Sequence, residues 1–225
     1  MRTMPGRVHW RKIAFSMAAG LLVLGLAGNA LAGTIDTGFI ERPWPRQRVR
    51  HYEVGKYAVR WRQRADKQAG LFAGVEFTTP TDRQTTWALS TDYNDIGRLT
   101  PGVTAVRYLE RTPTRQVVQI DVKVLWKTLH LTFEVEQDPP NAIRFRLVNE
   151  LLGEYRGVSV FKEPDAFHSS EPAKTGVLMA TWLQPARPMP LGVLATVQRM
   201  VFLPAVKSFL EACEAKQRDL APAKP

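Results

Sequence analysis

Few residues of this chain stand where chemistry would need them. Beyond the first 32 residues there are three histidines: His51, His130 and His168. His168 lies in Asp165-Ala166-Phe167-His168-Ser169-Ser170, where an acid, an imidazole and two hydroxyls stand together. A catalytic relay needs a base that touches the nucleophile and a third group that orients the base. Residues this near in sequence rarely meet that geometry, so the stretch reads as a polar hairpin loop. Asp92 and Asp95 flank Tyr93-Asn94 and read as a structural turn rather than an acid–base pair. Tyr108, Glu150, Tyr155 and Arg156 are polar residues that alternation leaves free to point inward or outward. No metal-ligand spacing and no phosphate-binding glycine loop is present. Cys213 is the only cysteine, which excludes an intrachain disulfide and a cysteine-rich metal site. The pattern assigns no catalytic residue, no metal and no cofactor.

What the pattern does supply is apolar surface in register. Val118, Ile120 and Val122 alternate with Gln119 and Asp121; Leu131 and Phe133 alternate with Thr132 and Glu134; Phe145 and Leu147 alternate with Arg146. Period-two alternation predicts strands with one dry and one wet face. Similar strands are expected over 57–62, 71–77, 104–112, 153–161 and 177–183, and Asp138-Pro139-Pro140-Asn141 marks a turn. From residue 191 to about 218 the period becomes helical, with Val193, Val197, Met200 and Val201 near one line and Pro204 inside. A helix that long crosses a whole sheet. The spacing predicts that it presents Val197 and Val201 to the strands bearing Phe133 and Phe145. These eleven apolar residues either line a cavity for a hydrophobic molecule or fill a solid core.

The stretch over 78–103 joins the two halves of this pattern. Pro80 with Thr81 or Asp82 starts a short helix, Trp87 and Leu89 give it apolar weight, and Asp92 to Gly97 break it. A tryptophan, then Leu89-Ser90-Thr91-Asp92-Tyr93, then Leu99-Thr100-Pro101-Gly102-Val103, resembles the START-like superfamily, in particular its bacterial polyketide-cyclase and coenzyme-Q-binding branch. The resemblance covers about residues 57–216. It implies an α+β helix-grip fold, in which a curved antiparallel sheet wraps a long C-terminal helix. It also implies a ligand such as a lipid, a sterol-like terpenoid or a quinone, bound between sheet and helix. In some relatives of this kind polar cavity residues perform cyclisation or hydrolysis, so an enzyme acting on an aromatic or polyketide substrate is the alternative. Fold does not decide between these.

Charge and the N-terminus bound the setting. The net charge is +10; the first 32 residues hold four basic and no acidic residues, which leaves 27 basic against 21 acidic, or +6. That balance does not indicate a dedicated nucleic-acid binder. Residues 1–32 read as a secretory signal: Arg7, Arg11 and Lys12, an apolar run over 13–27, and Ala30-Leu31-Ala32 as the cleavage site. The expected location is the periplasm; an uncleaved inner-membrane anchor is the competing reading. Residues 33–55 read as a basic, proline-containing linker, whose Arg42, Arg46, Arg48 and Arg50 suit an anionic membrane surface. The START-like domain is expected over 56–218 and a frayed tail over 219–225.

Overall fold

Alternating segments become strands, and they pair in the order that lets a single sheet curve around a helix. In the computed structural model of the protein, residues 34–39, 48–66, 70–100, 102–124, 126–148, 153–164, 173–187 and 190–220 are described. The strands are β1 (Arg48–Val54), β2 (Tyr57–Asp66), β3 (Gly70–Thr79), β4 (Val103–Arg111), β5 (Arg115–Val124), β6 (Lys127–Asp138), β7 (Ala142–Leu147), β8 (Glu154–Lys162) and β9 (Thr175–Gln184). The helices are α1 (Arg83–Thr91), α2 (Tyr93–Leu99) and α3 (Leu191–Leu220). Among the described residues the strands form one nine-stranded antiparallel sheet, in the order β1-β2-β3-β9-β8-β7-β6-β5-β4. This is the curved antiparallel sheet and long C-terminal helix of the helix-grip fold.

The order explains the stretch over 78–103. β3 lies inside the sheet and β4 at its far edge, so the chain must cross between them, and α1 and α2 make the crossing. Asp82 caps α1: its Oδ1 accepts from the Thr85 amide at 2.9 Å. The α1 side chains that are buried are Thr86 and Ser90; Trp87 and Leu89 are half-buried against the core. The Thr86 hydroxyl meets those of Thr79 at 3.0 Å and Thr81 at 2.8 Å, and Thr175 Oγ1 donates to the Thr81 carbonyl at 2.8 Å. This buried hydroxyl cluster ties α1 to the ends of β3 and β9. Asp92 then accepts from the amides of Asn94 and Asp95, each at 3.2 Å, and starts α2. Gly102 takes φ +90° at the turn into β4, a conformation that disfavours a side chain.

The main core lies between the concave face of the sheet and α3. Trp61, Val75 and Phe77 are fully buried there against Val206, Phe209 and Leu210. Ring pairs tie the layers together: Trp61 with Phe202 at 5.9 Å and Phe77 with Phe209 at 6.2 Å. The convex face carries paired charges instead. Arg60 and Arg62 pair with Glu76, Arg115 and Arg146 with Glu134, and Arg107 with Asp121.

Two expectations change here. The linker read over 33–55 contains β1, which pairs with β2 along its length, so Arg48 and Arg50 belong to an edge strand. Residues 34–39 also lie on the sheet: Ile35 and Phe39 are buried, and Phe39 packs with Phe72 at a ring distance of 6.1 Å. Proline and arginine density hid this, because it argues against a central strand, yet an edge strand tolerates both. Of the tail expected over 219–225, residues 219 and 220 belong to α3; residues 221–225, Arg42, Arg46 and the signal segment lie outside the described residues.

Candidate functional site

Residues paired across an antiparallel ladder point to the same face. One rung runs across all nine strands: Arg111, Gln116, Val135, Phe145, Gly157, Thr181, Ala73, Gln63, Arg48. The next carries Gln137, Ile143, Ser159, Met179, Val75 and Trp61. A third carries Tyr108, Val118, Phe133 and Leu147. Val118, Ile120, Val122, Leu131, Phe133, Phe145 and Leu147 therefore all share the concave face, as their alternation predicted.

That face divides into two halves. α3 packs chiefly on β1, β2 and β3, where the core is sealed. Towards β5, β6 and β7 the burial falls: Ile120, Val122, Leu131, Phe133 and Phe145 are half-buried, while Val118 and Leu147 are buried. Phe133, Phe145 and Tyr155 form an aromatic cluster, with ring centroids 5.9, 6.5 and 5.9 Å apart. A Cβ added at Gly157 would overlap the Phe145 ring, so glycine lets that ring approach β8 closely. This apolar wing, beside the helix and not under it, is the candidate ligand-binding surface.

The helix residues assigned to the site fare differently. Val193 and Val197 are half-buried, and Met200 and Val201 are 52 % and 53 % exposed, on the outer side of α3. The side turned to the sheet carries Ala195, Phe202, Val206, Phe209 and Cys213. The first half of α3 is apolar on more than one side, so helical spacing alone selected the wrong stripe. Gln198 also faces inward and donates from Nε2 to Thr181 Oγ1 at 2.5 Å.

Polar groups reach the concave face at two places: one is Tyr155, whose direction alternation left open, and the other, at Gln116 and Gln137, the sequence reading missed. Tyr155 stands near Thr181 and Gln198; burial of its hydroxyl pushes the phenol up to about 12, and those two partners oppose the shift. Gln116 and Gln137 are buried on β5 and β6. Tyr93, on α2, faces Gln137 without completing a hydrogen bond, and burial pushes its phenol up to about 12 as well. The signal was available: Gln116 and Gln137 continue the inward registers of Val118 and Val135 by two residues.

Acid–base groups are placed elsewhere. His130 lies on the convex face, where its Nδ1 and Asp121 Oδ1 share a hydrogen bond of 2.7 Å. That bond holds the Asp121 carboxyl below its usual range; burial opposes it and Arg107 adds to it. Arg156 is also on the convex face, over Trp182 at 4.4 Å. His168 and Glu150 lie outside the described residues. Cys213 is buried in the core with its thiol pushed up to about 12 by burial, which leaves it unreactive as a nucleophile at neutral pH. Among the described residues no group of three or more metal-ligating side chains is found.

An antiparallel sheet that curves around one long helix, with a partly covered apolar wing, defines a START-like, helix-grip protein. Comparison agrees: residues 79–209 match the family described as polyketide cyclase / dehydrase and lipid transport, and the chain belongs to that family. Among solved structures it is similar to the Zhui aromatase/cyclase from Streptomyces sp. R1128, at 16% identity and TM-score 0.57, over 68% of this chain and 98% of that one. It is similar also to a STAR-related lipid transfer protein from Xanthomonas axonopodis, at 15% identity and TM-score 0.53, over 75% and 98% of the two chains. A START superfamily protein from Mycobacterium smegmatis matches at 11% identity and TM-score 0.53, over 64% and 97%. Identities this low establish a shared fold. No curated protein matches the sequence.

Proposed function

We propose that this protein binds, and carries, a hydrophobic small molecule such as a lipid, a sterol-like terpenoid or a quinone. The observation that carries the reading is the half-covered concave wing, where Ile120, Leu131, Phe133, Phe145 and Tyr155 stay partly exposed while the same face beneath α3 is sealed. Each methylene that a ligand buries there contributes roughly 0.8 kcal/mol. Membership of a family described by both cyclase and lipid-transport activity supports a bound apolar molecule. The reading needs no acid–base residue, and the phenols of Tyr93 and Tyr155 stay protonated at neutral pH, where they donate hydrogen bonds and do not act as bases. The cationic N-terminal run and Ala30-Leu31-Ala32 support export to the periplasm, with cleavage after Ala32.

Native mass spectrometry with lipid extraction, on protein purified from its own host, tests the reading. The expected result is a mass that begins at Gly33 and a bound apolar molecule released by solvent. Protein that carries no ligand and binds no hydrophobic probe would sink the carrier hypothesis. Retention of the intact chain in the inner membrane would sink the export hypothesis alone.

A further inference from the structure

On the concave face at the start of β5 and the end of β6 stands a small set of buried neutral polar groups that find no hydrogen-bond partner among the described residues. Gln116 and Gln137 are 5 % and 8 % exposed. Gln116 is paired with Val135, two residues before Gln137 on the same face, so the two amides are diagonal neighbours. Among the described residues, Gln116 Oε1 and Gln137 Nε2 have no hydrogen-bond partner, and neither has the shielded hydroxyl of Tyr93. Tyr93 faces Gln137 and packs on Tyr108 at a ring distance of 6.1 Å, which closes the group on its α2 side. Trp87, on the neighbouring α1, packs against the same core with its indole N–H also shielded and unpartnered. Gln116, Gln137 and Tyr93 thus bring one unmet acceptor and two unmet donors together, and each unmet group carries a desolvation penalty.

The charges are elsewhere. The charged side chains that the pairing places on this face are Arg48, Arg50, Arg111 and Lys127, all exposed at its rim, with Arg111 over the Tyr108 ring at 4.9 Å. Arg111 lies directly across from Gln116, but its guanidinium is exposed and stacked on the Tyr108 ring, so a carboxylate or phosphate carried in to Gln116 and Gln137 would be shielded from water with no cation among the described residues turned towards it, which is strongly unfavourable. A carbonyl oxygen can accept from Gln137 or Tyr93, and a hydroxyl can also donate to Gln116. We propose that Gln116, Gln137 and Tyr93 form a recognition site for the uncharged, oxygen-bearing end of the ligand, a ketone, quinone carbonyl or alcohol, with its hydrocarbon on the Phe133–Phe145 wing. The inference rests on the hydrophobic-ligand reading above and narrows it by excluding ligands that enter with an ionised head group.

Competition among ligands of matched chain length tests it on the full chain. Diphenylhexatriene, a neutral hydrocarbon that fluoresces in apolar surroundings, is bound first and then displaced by dodecan-2-one, dodecan-1-ol or dodecanoate at pH 8. The ketone and the alcohol should displace it at concentrations at least about tenfold below dodecanoate, the size of one buried neutral hydrogen bond. Gln137→Leu and Tyr93→Phe, each near in shape to the original, should remove that preference and leave diphenylhexatriene binding intact. Dodecanoate that competes as well as the ketone, or variants that keep the preference, overturns the head-group site and leaves the carrier reading standing. Failure of the wild type to bind diphenylhexatriene and all three competitors overturns both.

Discussion

Asp82 shows how much one side chain contributes to placing the site, because α1 and α2 carry Trp87 and Tyr93. Its carboxylate accepts from the Thr85 amide and the Thr85 hydroxyl, at 2.9 and 2.8 Å, and the amide bond is the main reason its carboxyl lies below the ordinary 3.8. Asp82→Ala should cost about 1 kcal/mol at pH 7, measured by urea unfolding. Asp82→Asn keeps a capping oxygen and should cost less. A depressed carboxyl stabilises the fold above its unfolded value, and that contribution disappears as pH falls through the folded value. The difference between wild type and Asp82→Asn should therefore shrink below about pH 4. A difference that stays constant from pH 7 to pH 3 would show that the charge contributes nothing.

Among the elements, α3 is where tertiary structure corrects the pattern. Among the described residues it is the helix long and apolar enough to cross a bilayer, and its inner side is used in the core. Its 30 residues place Phe209, 8 % exposed, on the sheet and leave Val201, 53 % exposed, facing out. Thermal unfolding should separate the two sides. Phe209→Ala should lose about 3–5 kcal/mol, as a buried ring does. Val201→Gln should stay within about 0.5 kcal/mol, as exposed substitutions do. A loss above 2 kcal/mol for Val201→Gln would place that side chain against the sheet after all. The strands needed no such correction, because a period of two leaves only two faces to choose between, and the polar partners decide which is dry.

At the scale of the molecule the sheet is covered on both sides. α3 covers part of the concave face, and residues 34–39 lie on the convex face, where Phe39, Phe72, Val158 and Ala180 form a second, smaller core. Asp36 pairs with Arg156 at 2.9 Å, and the Ile35 amide donates to Glu136 at 3.1 Å, so the segment is held by charge as well as packing. Phe39→Ala should cost about 3 kcal/mol and lower Tm without changing probe binding on the opposite face. An unchanged Tm would mean the segment is not held there in solution. The order of β2 to β9 and of the long C-terminal helix, the antiparallel sheet and the shared inward face of Val118, Phe133 and Phe145 were determined by local periodicity, which acts through neighbours two to four residues apart. Where Gln116 and Gln137 meet Tyr93, which stripe of α3 turns inward, and how residues 34–39 and β1 join the sheet were decided only by the fold. Those contacts join residues distant in the chain, and nothing in local periodicity encodes which distant partner lies opposite.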